Sequence, residues 1–117
     1  MISIEELMSS DQIPALSTNQ QGLITSVNPA FEKAYGWEVS DLIGSALTTI
    51  IPEIFHDAHN LGFSRFTADE QPTLLNQPLD LSVLTGDGNE VTAEHIIIAE
   101  KHDGEWIFAA SMRPLSE

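Results

Sequence analysis

Apolar and polar positions alternate with two different periods along this chain. Ile4, Leu7 and Met8 recur at helical spacing, and Ser3 stands three residues before Glu6 in the pattern of a capping box. A short helix is therefore predicted over SIEELMSS. IPALST and GLITSV flank NQQG, a turn composition, and predict a β-hairpin. Asn28 as N-cap, Pro29 at the first helical position and Gly36 as terminator predict a helix over NPAFEKAYGW. Two further short helical pieces are expected. One is VSDLIG, with Ser40 or Asp41 near its start and Gly44 at its end, and the other is SALTTIIP, closed by Pro52. The longest helical run follows, from about Glu53 to Thr67.

After that run the period changes to two. PLDLSVLT puts Leu79, Leu81 and Val83 on one face and Asp80 and Ser82 on the other. GDGN is a hairpin turn, VTAEHIIIA the next strand, and HDG turns the chain into EWIFAASMR. Two strands, several helices and three antiparallel strands make an α+β fold, with one five-stranded antiparallel sheet and a helical belt on one face.

A length of 117 residues fits one domain with one core, residues 13–117, preceded by a flanking helix in residues 1–12. The formal charge of −14, from 18 acids against 4 Lys+Arg, repels phosphates, so neither nucleic acid nor an anionic membrane surface is an expected partner. The chain has no apolar run long enough to cross a bilayer, and MISIEELMSS lacks the basic start and apolar stretch of a secretory leader. Cysteine is absent, which removes disulfides, thiolate metal sites and cysteine nucleophiles and fits a cytoplasmic setting.

GLITSVNPAFEKAYGWEVSDLIG, then IIP, HNLGFSRF, GDGNEVTAEHIII and the ending MRPLSE together resemble the PAS domain family over nearly the whole chain. The resemblance implies an internal pocket between the long helix and the sheet. It also implies a sensor or interaction role, homodimerisation, and an effector outside this chain of kinase, diguanylate cyclase or chemoreceptor type. Many relatives end in Arg-Asp-(Ile/Leu)-Thr; here Pro114 stands at the Asp position and supplies neither an N–H nor a carboxylate. The lack of cysteine excludes flavin-adduct chemistry and a thiol-linked chromophore.

The pocket so implied would be lined by Phe31, Tyr35, Ile51, Phe55, His59, Phe63, Leu79, Leu81, Val83, His95, Ile97 and Phe108. On a wheel of about 100° per residue, Phe55, His59, Phe63 and Phe66 share one side and Asp57, Asn60 and Ser64 the other, with His56 at the margin. His59 is thus expected to face the sheet. A core histidine, a small-ligand contact and a haem ligand are its three readings. PEIFHDAHNLGFSRF is similar to the motif of oxygen-sensing haem kinases, with His59 at the axial-ligand position and Arg65 six residues on. Leu79 and Thr73 replace basic residues of that family. His95 has two readings. Either Ala93, His95 and Ile97 face the pocket, or Ile96 and Ile98 do and His95 points out. HDAHN superficially resembles a metal-dependent phosphohydrolase motif, but Asp57 points away from His59, and no catalytic constellation is expected.

Overall fold

The computed structural model describes residues 2–60 and 75–115. Helix α1 is Ile4–Met8. Its capping box forms as predicted: the Ser3 hydroxyl accepts from Glu6 N at 3.1 Å, and Glu6 Oε1 accepts from Ser3 N at 3.0 Å. Helix α2 is Pro29–Tyr35, capped by Asn28 and closed by Gly36 in the left-handed region at φ 71°. Helix α3, Val39–Leu42, starts after Glu38 with no side-chain cap, one residue earlier than Ser40. The piece after it is a 3₁₀ turn, Leu47–Ile50.

The expected long helix departs from its prediction at the start. Glu53–Phe55 is a 3₁₀ turn, and α-helical geometry begins at 56 and is described through 60. The remainder of that prediction, with Phe63, Arg65 and Phe66, lies outside the described residues.

The strands are β1 (Ala15–Thr18), β2 (Ile24–Val27), β3 (Leu79–Leu84), β4 (Glu90–His102) and β5 (Glu105–Pro114). They form one antiparallel sheet in the order β2-β1-β5-β4-β3. Ala15, the first residue of β1, lies opposite Ser111 near the end of β5. The β4–β5 turn is closed by Asp103 and Gly104, both at positive φ (53° and 83°), as a two-residue hairpin requires.

Both faces of the sheet are covered, by different elements. Leu16, Ala110, Met112, Ala93 and Val83 meet Phe31, Tyr35, Leu42 and Ile50 of the belt. On the opposite face Ala15, Ile98 and Ala109 meet Leu7, with Ile4 and Met8 beside it. Each fully buried large apolar side chain contributes about 1.5–3 kcal/mol. The apolar stripe of α1 therefore lies against its own sheet.

Asn28 ties these layers together. Its Oδ1 accepts from Phe31 N and from Ala15 N, each at 3.0 Å. Its Nδ2 donates to the Ile13 and Ser10 carbonyls at 2.7 and 3.1 Å. One buried amide thus joins the start of the belt, the first strand and the linker from α1. At the other end of α2, Gly86 N donates to Tyr35 O and Trp37 Nε1 donates to Leu84 O, both at 2.8 Å. A Cβ at Gly86 would stand 2.1 Å from the Gly36 carbonyl oxygen, so the absence of a side chain permits this approach.

Candidate functional site

In an antiparallel pair, residues opposite each other share a face. The register pairs Leu79 with His95, and His95 with Met112. Met112 belongs to the belt-side core, so His95 faces the belt. The first of its two sequence readings holds. The second falls because Ile98 is taken up by α1 on the opposite face, which lets both faces of β4 be buried at once.

His95 is 7% exposed. Its Nδ1 lies 3.0 Å from the Ala93 carbonyl oxygen. Burial pulls its pKa below the ordinary 6.5, against the opposing pull of that carbonyl and of Asp80, so the ring is neutral at pH 7. A carbonyl only accepts, so Nδ1 carries the proton and Nε2 is the acceptor. Among the described residues, the belt-side interior thus contains one buried imidazole, whose Nε2 can accept a hydrogen bond.

Phe31, Tyr35 and Val83 are buried as expected, with Phe108 close behind, and Ile51, Leu79 and Ile97 are half-buried. Tyr35 is more than a wall. Its hydroxyl donates to the Met112 carbonyl at 2.5 Å, and burial pushes its pKa up to about 12. Its ring lies 4.9 Å from that of Phe31. Two expected wall residues are exposed: Phe55 is 43% exposed, and Leu81, which shares the belt-side face with Ala93 and Val83, is 44% exposed. Phe55 ends a 3₁₀ turn, and Leu81 lies on an edge strand.

His59 is half-buried, and its pKa is lowered by burial and then by the charge of His56. His56, placed at the margin by the wheel, has its Nε2 2.7 Å from the Ile51 carbonyl oxygen. Phe63 and Arg65 fall outside the described residues. Among the described residues, no three His, Asp or Glu side chains converge as a metal site. Among the described residues, Phe31, Tyr35, Ile50 and Val83 are at most 1% exposed and belong to one packed cluster.

Three residues outside the expected set fix the elements around the sheet. Asn28 and Trp37 anchor the two ends of α2, as described above. Glu100 Oε2 accepts from Ile4 N at 2.8 Å, and its Oε1 lies 2.9 Å from His102 Nε2. Only the capping position of Asn28 carried a sequence signal; the other partners are distant in the chain.

This architecture, an antiparallel sheet with a short-helix belt over one face, is an α+β fold. The family model for the PAS domain matches residues 13–117, and the chain belongs to that family. PAS domains are sensory and interaction modules of signalling proteins. A PAS domain from Desulfitobacterium hafniense superposes with a TM-score of 0.75 at 20% identity, covering 95% of this chain and 99% of that one. The PAS domain of an HTR-like protein from Haloarcula marismortui gives 0.73 at 18% identity, over 96% and 88%. One from a two-component sensor histidine kinase gives 0.70 at 11% identity, over 92% and 87%. At these identities the likeness is one of fold. A protein of Azorhizobium caulinodans, named only as uncharacterized, is 29% identical over 100 residues. The match covers 85% of this chain but 14% of that protein. No helix among the described residues is long and apolar enough to cross a membrane.

Proposed function

We propose that this PAS domain is a cytoplasmic sensor and relay module of a longer signalling protein, and that its belt-side interior takes a small ligand carrying a hydrogen-bond donor. The observation that carries this reading is His95, a polar side chain 7% exposed whose ring makes its bond through Nδ1 to its own strand. The Nε2 atom of that neutral ring is an acceptor, so it would select a ligand that donates. A ligand that prefers one arrangement of belt and sheet shifts their equilibrium by its differential affinity. The effector, of kinase, diguanylate cyclase or chemoreceptor type, then reads that shift. The short match to a much longer relative supports a multidomain setting.

A thermal-shift screen of a broad small-molecule library tests the reading. The expected result is a ligand that raises the melting temperature of the wild type and loses that effect in His95→Leu. Stabilisation by a protein partner alone, with no small-molecule hit, would replace this reading with a ligand-free interaction module. Homodimerisation, which the family resemblance implies, is measured by light scattering.

A further inference from the structure

An open cleft of about 410 Å³ runs between α1 and the outer face of strands β2, β4 and β5. Its apolar surface comes from Ile4 and Met8 of α1 and Ile107 of β5, and its carboxylates from Glu5 and Glu100. The volume lies within the range of ligand-binding clefts. Neither lysine nor arginine lines it, and the histidine that does, His102, is bonded to Glu100. Glu100 is held in place by Ile4 N and His102, and both contacts keep its pKa below the usual carboxylate range. The cleft therefore presents fixed negative charge beside an apolar floor.

Charge decides among its occupants. A second copy of this chain also carries −14 and would add repulsion to a rim that is already acidic. Nucleic acid and anionic lipid are repelled in the same way. A segment with lysines or arginines along one side and aliphatic residues along the other satisfies both halves of the cleft. The stems of such basic residues cover apolar surface while their heads reach the carboxylates. We propose that the cleft beside α1 is the docking surface for a basic amphipathic helix of a signalling partner. Its apolar face would rest on Ile4, Met8 and Ile107, and its cations would meet Glu5 and Glu100. This surface lies on the opposite side of the sheet from His95, and it stands whether or not the interior takes a ligand.

The probe is a fourteen-residue amphipathic Leu/Lys peptide, with a Leu/Glu peptide of the same pattern as control, titrated by fluorescence anisotropy into the full chain. The Leu/Lys peptide is expected to bind, more weakly as salt rises. Glu5→Lys is an exposed change on the first turn of α1 and should leave the melting temperature nearly unchanged; it is expected to weaken binding by about tenfold. Glu100→Gln should also weaken binding. The pair Glu32→Gln and Glu38→Gln, away from the cleft, should change it by less than about twofold. Absence of binding overturns the proposal. Equal losses in the two sets of variants also overturn it, because attraction to total charge would then explain everything. Binding that tolerates Glu5→Lys overturns it as well.

Discussion

The hydroxyl of Tyr35 donates to the main-chain carbonyl of Met112 at 2.5 Å, joining the last turn of α2 to a central strand of the sheet. Tyr35→Phe keeps the buried ring and removes the bond. A loss of about 1–2 kcal/mol is expected, read as a lower midpoint in urea unfolding. The same group sets an alkaline limit. Its pKa rises from 10.0 to about 12 on folding, so the unfolded chain releases the proton first. Stability should fall as pH climbs from 10 towards 12, and Tyr35→Phe should flatten that fall.

His95 sets the mildly acidic limit. Its pKa is lowered from 6.5, so its contribution is complete above pH 6.5 and is lost as pH falls through the lower folded value. His59 shifts in the same direction. Denaturant midpoints should therefore drop between pH 7 and pH 5. His95→Leu should remove part of that slope.

Asn28 distinguishes a clamp from a cap. At an ordinary N-cap, aspartate replaces asparagine with little loss. Here Nδ2 also donates to the Ile13 and Ser10 carbonyls, which a carboxylate would repel. Asn28→Asp is expected to destabilise by about 2–3 kcal/mol, close to the effect of Asn28→Ala. Chemical denaturation of both variants checks this.

Two glycines in one turn should respond differently. Gly86→Ala places a methyl against the Gly36 carbonyl and requires backbone movement. Gly88 at φ 90° has open space around it, so Gly88→Ala meets only conformational strain of about 1–2 kcal/mol. The first variant should melt at the lower temperature.

Purified chain mixed with haemin should show no Soret change that depends on His59, because Leu79 and Thr73 stand where the haem-binding relatives have basic residues. An absorption spectrum of the wild type beside His59→Ala provides the comparison.

The helix ends were readable because their signals are local: Ser3 with Glu6, Asn28 with Pro29, and Gly36 each act within a few residues. The strands were readable from period two, as was the face shared by Leu79, Leu81 and Val83 of β3. The wheel misplaced Phe55 because it assumed α geometry from that residue, whereas a 3₁₀ turn has about three residues per turn and ends there in a different phase. The facing of His95 was undecidable from β4 alone, since Ile96 and Ile98 compete with Ala93 and Ile97. Leu7, more than 80 residues away in sequence, decides it by covering Ile98. The roles of Trp37 and Glu100 were hidden for the same reason: each depends on a partner that only the folded chain brings near.

The pairing of Ala15 with Ser111 has a mechanical consequence. Chain enters β1 and leaves β5 at the same end of neighbouring antiparallel strands. Tension between the flanking segments would open those strands like a zipper, breaking ladder bonds in succession, instead of shearing them all together. Linked between stiffer elements, the domain would yield first under load.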